Sequence, residues 1–130
     1  MKLDLIGIVT QDMAKSLAFY RHIFSLPDGL DSDSLDNEGH VEVTLENGLR
    51  FAWDTVAVMQ SFEPHYTFTP KQVGAFLCDN AADVDTKYHD LISKGGKSSK
   101  EPWDAFWGQR YALVADPDGN VLDLFAPLQK

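Results

Sequence analysis

Few side chains in this 130-residue chain are of a type that does chemistry, and their spacing limits what each can do. The four histidines, His22, His40, His65 and His89, include no pair four residues apart, the spacing that sets two imidazoles on one helix face around a metal. The single cysteine, Cys78, excludes an internal disulfide framework and a cysteine-based zinc cluster. It closes the apolar run Val73 to Cys78 and is expected to be a buried structural thiol rather than a nucleophile. The acidic stretch Asp31-Ser32-Asp33-Ser34-Leu35-Asp36 invites a calcium reading. Leu35 and Asp36 occupy the positions where that loop needs an oxygen ligand and a glycine, so a solvated loop is expected. No glycine-rich phosphate loop is present, and no Ser-His-Asp arrangement can be argued from positions alone. The most distinctive segment is Glu101 to Trp107, where Trp103, Phe106 and Trp107 fall within five residues in what reads as a loop. Such rings either stack on a flat or cationic ligand or fill a module interface or a dimer contact.

The charge balance bears on the same choice. Eleven basic and 20 acidic side chains give 11 − 20 = −9, a field that attracts a cation and repels nucleic acid and anionic membranes. It also simply keeps a protein soluble. The N-terminal residues lack the pattern of a secretion signal, and no apolar run approaches the ~20 residues of a membrane span, so a cytoplasmic protein is expected.

The elements that must position these residues come in two similar sets. Leu3 to Val9 reads as a strand. Met13, Leu17, Tyr20 and Phe24 share one helix face after the capping candidate Asp12, with Pro27 and Gly29 as the stop. Asp28 to Gly39 reads as a loop. Val41, Val43 and Leu45 form a half-buried strand, turned by Asn47-Gly48 into a return strand from Leu49 to Trp53, with a type I′ turn expected. Asp54 to Pro70 is irregular and reads as a linker or lid. The pattern then restarts: strand Val73 to Cys78, a helix capped by Asn80 or Asp83 and carrying Val84, Tyr88, Leu91 and Ile92, a stop at Gly95-Gly96, strand Tyr111 to Ala115, turn Asp116 to Asn120, and strand Val121 to Phe125. Asp12 and Asn80, Tyr20 and Tyr88, and Ile23 and Leu91 are each 68 apart, and Gly48 and Gly119 are 71 apart. One domain of α+β class follows, with a first module over about 1–56, a linker over about 57–70 and a second module over about 71–130.

The helix segment Asp12-Met13-Ala14-Lys15-Ser16-Leu17-Ala18-Phe19-Tyr20 resembles the first-helix signature of the vicinal oxygen chelate superfamily, which includes glyoxalases, extradiol dioxygenases and bleomycin-resistance proteins. Asp116-Pro117-Asp118-Gly119-Asn120-Val121-Leu122-Asp123-Leu124 resembles its last hairpin, and Phe106-Trp107-Gly108-Gln109-Arg110-Tyr111 the segment entering the strand before it. The resemblance implies two tandem βαβββ modules forming a cup-shaped, partly open mixed sheet with helices outside, often in a homodimer.

The resemblance also implies a divalent ion held by donors on each module's first and last strands. The matching positions here are Leu5, Ala52, Val73 and Asp123. Three are aliphatic, and a single carboxylate does not hold a transition metal against water. No metal and no cofactor are therefore expected, and the cup becomes a cavity for a small molecule. Strand alternation turns Arg50, Asp54, Asp123 and Phe125 toward it, with Phe51 and Trp53 packed beneath the first helix. With Trp103, Phe106, Trp107 and Tyr111 these are the candidate ligand-binding residues, and Arg110 is either paired with a carboxylate or a surface charge. The function implied is metal-free binding of a cationic or aromatic drug-like compound, as in the drug-sequestering branch. The alternative is a metal-dependent lyase, isomerase or dioxygenase of the same superfamily, with the ligand positions misregistered. A third is a scaffold that kept only the fold.

Overall fold

The structure is a computed structural model and describes residues 1–26 and 39–129. The expected helix stop at Pro27 and Gly29, the loop from Asp28 and the acidic stretch 31–36 lie outside the described residues. The chain divides into two compact units, Met1–Thr69 and Pro70–Lys130.

The first unit contains β1 (Leu5–Thr10), α1 (Met13–Tyr20), β2 (His40–Thr44), β3 (Arg50–Thr55) and α2 (Val56–Phe62). Asp12 caps α1 by accepting the Lys15 N–H at 3.1 Å. Met13, Leu17 and Tyr20 bury one face of the helix, as their spacing requires. The α-helix ends at Tyr20 rather than running to Phe24, but a turn follows in which the Phe24 N–H bonds the Tyr20 carbonyl at 2.9 Å. Phe24 therefore still reaches the core, stacked 6.1 Å from Tyr20 and 5.0 Å from Phe51. Phe51 and Trp53 lie under α1, 5.6 and 5.8 Å from the Tyr20 ring. The sheet order is β1-β3-β2, with β1 parallel to β3. Three strands are present among the described residues, where the resemblance implied four. The β2–β3 turn is not type I′. In this turn only Gly48 has positive φ, the Leu45 N–H bonds the Leu49 carbonyl and the Gly48 N–H bonds the Leu45 carbonyl. This is the three-residue loop that ends on a left-handed glycine, with Gly48 at φ 88°. The expected linker begins instead with α2, because the Thr55 hydroxyl accepts the Val58 N–H at 3.2 Å and caps a helix that the sequence pattern does not announce.

The second unit contains β4 (Gln72–Leu77), α3 (Ala81–Ser93), β5 (Lys97–Ala105), β6 (Gln109–Ala115) and β7 (Val121–Pro127). Its sheet order is β4-β7-β6-β5, with β4 parallel to β7, so the unit is a complete βαβββ module. Asn80 caps α3 by accepting the Asp83 N–H at 2.9 Å, 68 positions after its counterpart Asp12. Val84, Tyr88 and Leu91 of α3 cover Ala112, Val114, Leu122 and Leu124, all buried. The aromatic segment is not a loop. Trp103 belongs to β5, and only residues 106–108 turn, with the Gly108 N–H bonding the Ala105 carbonyl at 3.0 Å. Proline at 102 and register shifts around Lys100 mask the strand period. No helix among the described residues is long and apolar enough to cross a membrane.

Candidate functional site

In the second unit, alternation leaves one sheet face for α3 and one face without it. On the latter, ladder partners align Trp103 (β5), Tyr111 (β6), Phe125 (β7) and Leu77 (β4) in one cross-strand row. Residues directly opposite in a ladder share a face and lie close enough to pack. The rings do pack: Trp103 is 5.5 Å from Tyr111, Trp107 is 5.3 Å from Tyr111 and 6.0 Å from Trp103, and Tyr111 stacks on Phe125 at 6.1 Å. Trp107 stays 49% exposed. Phe106, at 97% exposure, projects from the turn and touches only the Trp107 ring edge among the described aromatics.

The next row is Leu113, Asp123 and Ala75. Asp123 is held from both sides along β7. The Tyr111 hydroxyl donates to its Oδ2 at 2.5 Å, and the Gln72 amide donates to its Oδ1. Burial and the neighbouring carboxylate push the Tyr111 phenol up to about 12, so it remains a donor throughout the physiological range. The site is thus a row of aromatic rings beside a doubly anchored carboxylate. A cation is already taken by one ring: the Lys100 ammonium lies 4.7 Å from the Trp103 ring centroid.

Arg50 and Asp54 lie in the first unit, on the face of β3 away from α1. They share it with Leu5, Gly7 and Val9 of β1 and with His40, Glu42 and Thr44 of β2. Here a line of charges crosses three segments. Arg50 donates to Asp4 at 2.8 Å and to Glu42 at 3.0 and 3.1 Å, and His40 bridges Asp54 at 2.6 Å and Glu42 at 3.3 Å. The hydrogen bond to Asp54 is the main cause that raises the His40 pKa above its ordinary value, against a lowering by burial. Arg110 is paired rather than free. It faces α3, donates to both Asp85 oxygens at 2.9 and 2.8 Å and reaches Asp104 at 3.1 Å.

The donor positions implied for a metal do not fit one. Leu5 and Ala52 present hydrocarbon on the face of the first unit away from α1. At Val73 the ladder skips: Gln72 pairs with Val121 and Gly74 with Leu122, leaving Val73 in a bulge and 7% exposed. The side chain that meets Asp123 is therefore the Gln72 amide. In the His40 cluster the two carboxylates flank opposite ring nitrogens, so their lone pairs do not converge. Among the described residues no group of three His, Cys, Asp or Glu side chains is placed to hold an ion. Cys78 is half-buried rather than buried, and desolvation pushes its thiol up to about 11, away from the nucleophilic thiolate.

Sequence reasoning missed Gln72, His40 and Glu42. His40 and Glu42 were available in principle, since they alternate with Val41 and Val43 and oppose Arg50 and Asp54 once the hairpin register is known. Gln72 had one signal, Gly74, since a lone glycine inside a strand run marks a bulge, but the glycine does not say which side chain the bulge redirects.

A family model of the Glyoxalase/Bleomycin resistance protein/Dioxygenase superfamily matches residues 2–124. The protein YraH of Bacillus subtilis (strain 168) is 29% identical over 133 residues, covering 98% of this chain and all of that one. Among solved structures, a glyoxalase-related enzyme from Fulvimarina pelagi superposes with a TM-score of 0.80 at 19% identity, covering 97% of this chain and 88% of that one. A glyoxalase/bleomycin resistance protein/dioxygenase family enzyme from Burkholderia phytofirmans PsJN gives 0.74 at 20% identity, covering 98% and 100%. At these identities the superpositions establish the fold.

Proposed function

Because the chain belongs to the glyoxalase/bleomycin resistance/dioxygenase superfamily, we propose that it works in that superfamily's binding mode, taking up a small cationic aromatic compound without a metal. The observation that carries this reading is the pairing of Trp103, Trp107, Tyr111 and Phe125 with the Asp123 carboxylate on one sheet face. Aromatic faces attract a cation by about 0.5–1 kcal/mol each when exposed and about 2 when water is excluded. The carboxylate adds attraction of the same sign, and the net charge of −9 raises the local concentration of cations. The aliphatic residues at Leu5 and Ala52 favour binding over metal-assisted chemistry on the first unit's face. Arg50 and Asp54 lie on that face as members of a charge cluster, paired with Asp4, Glu42 and His40. Sequestration of a drug or toxin is the physiological role consistent with such a site.

Calorimetric titration with three bicyclic probes tests this: N-methylquinolinium, its neutral counterpart 1-methylnaphthalene, and anionic 2-naphthalenesulfonate. The cation should bind at least tenfold tighter than the neutral probe, and the anion should not bind measurably. Equal affinity for anion and cation would overturn the reading. A homodimer belongs to the same proposal, supported by the exposed apolar Phe106 and Leu77, and native mass spectrometry should find twice the chain mass.

A further inference from the structure

The carboxylate in the site depends on a bulge, and a bulge leaves one residue out of the ladder. Something must hold the register on its N-terminal side. Pairing along β4 and β7 runs Leu77 with Phe125, Phe76 with Leu124, Ala75 with Asp123 and Gly74 with Leu122, and then skips Val73 to pair Gln72 with Val121. Continued without the skip, the ladder would set Val73 opposite Val121 and turn Gln72 to the face covered by α3. The skip alone brings the Gln72 amide to Asp123.

The Asp116 to Asn120 turn supplies the hold. Asn120 is 1% exposed and its amide is used at both ends. Its Oδ1 accepts the Lys71 N–H at 2.9 Å, and its Nδ2 donates to Asp116 Oδ2 at 3.1 Å. Asp116, also 1% exposed, fixes the turn by accepting the Asp118 and Asn120 N–H groups on Oδ1, each at 2.9 Å. The next residue grips the other end of the same strand entry: the Val121 N–H donates to the Lys71 carbonyl at 2.9 Å. Lys71 is thus bound through its N–H and its carbonyl by consecutive residues, the last of the turn and the first of β7, one position before Gln72. The corresponding turn of the first unit keeps the backbone half of this grip, with the Arg50 N–H donating to the Asp4 carbonyl at 3.0 Å, but its Asn47 side chain accepts the Leu49 N–H within its own loop.

We propose that Asn120 is a positioning residue for the ligand site: by holding Lys71 it fixes the β4 register ahead of the bulge, and so aims the Gln72 amide at Asp123. The inference rests on the binding site proposed above for its functional meaning, but its structural content can be tested without any ligand. In the wild-type protein, a through-hydrogen-bond scalar coupling should join the Lys71 backbone nitrogen to the Asn120 side-chain carbonyl carbon. Its absence, with fast exchange of the Lys71 amide, would overturn the proposal. Asn120→Ala, and the milder Asn120→Ser whose hydroxyl is too short to span to Lys71, should move the Gln72 side-chain amide signals to the position of a free glutamine. Either folded variant in which those signals stay at their wild-type shifts would also overturn it.

The binding arm separates positioning from general loss of structure. Gln72→Ala should weaken N-methylquinolinium binding several-fold, Asn120→Ala should match it within twofold, and the double variant should be no weaker than Gln72→Ala. A further loss in the double variant would mean that Asn120 acts on the site by another route. If the wild-type protein binds no probe, the proposed function fails while the coupling and the amide shifts still decide the role of Asn120.

Discussion

Replacing Trp103 and Trp107 together with alanine should separate binding from folding. Trp107 is 49% exposed, so about half of its surface already faces water, and its indole N–H bonds the half-buried Gln109 side chain at 2.8 Å. A buried tryptophan removes about 150–250 Å² from water. Half of that at about 25 cal/mol per Å² is roughly 2–3 kcal/mol, an upper bound because the unfolded chain also buries apolar surface. The cost of Trp107→Ala to stability should therefore be about 1–2 kcal/mol. Trp103 is more deeply packed on Tyr111 and should cost more. Two aromatic faces lost to a cationic bicyclic ligand amount to about 2–3 kcal/mol at the values for partly desolvated cation–π contacts, or roughly 30- to 150-fold in Kd. Calorimetric titration of the double variant with N-methylquinolinium, beside a urea melt confirming a cooperative fold, reads both quantities. Affinity within threefold of wild type in a folded variant would refute the aromatic site. An equal loss for 1-methylnaphthalene would refute the cationic part of the reasoning.

Phe106→Ala removes a ring that touches only Trp107 among the described aromatics, so it should change N-methylquinolinium affinity by less than threefold while lowering the dimer fraction in native mass spectrometry. Asp123→Asn keeps the shape of the side chain and removes its charge, and should abolish the preference for cation over neutral probe in the same titrations. Stability near neutrality should carry a His40 component. The folded-state pKa is raised, so the contribution is full below the unfolded value, about 6.5, and is lost as pH rises through the folded-state value. The pair is half exposed, so the loss should be about 0.2–1 kcal/mol between urea melts at pH 5.5 and pH 9, and absent in His40→Gln.

The parts of the fold that were legible in the sequence are those set by local chemistry. Asp12 and Asn80 are side chains that cap helices wherever they precede an apolar face, and both do so here. Strand alternation set Phe51 and Trp53 under α1 and Asp123 with Phe125 on the other face, because side-chain direction follows from period two alone. The parts that were not legible depend on contacts between segments. Val73 holds the matching donor position only on an unbroken strand, and the bulge interrupts β4 at that residue. Trp103 sits in β5 because β6 pairs with it, although Pro102 and the irregular register around Lys100 hide the strand from any reading of residue pattern. The Asn47-Gly48 turn was located correctly, but its type depends on which residues close it, and the closure from Leu45 to Leu49 makes it one residue longer. Arg50 and Asp54 were placed on the right face, while their partners His40 and Glu42 emerge only from the β2–β3 register.

The most direct measurement is a calorimetric titration of chelator-treated wild-type protein with N-methylquinolinium, repeated after adding zinc. Saturable binding that chelation does not diminish and zinc does not improve is the expected result. Binding that appears only once the ion is restored would mean that this chain grips its ligand through a metal, and the aromatic and carboxylate surface would lose its place as the site.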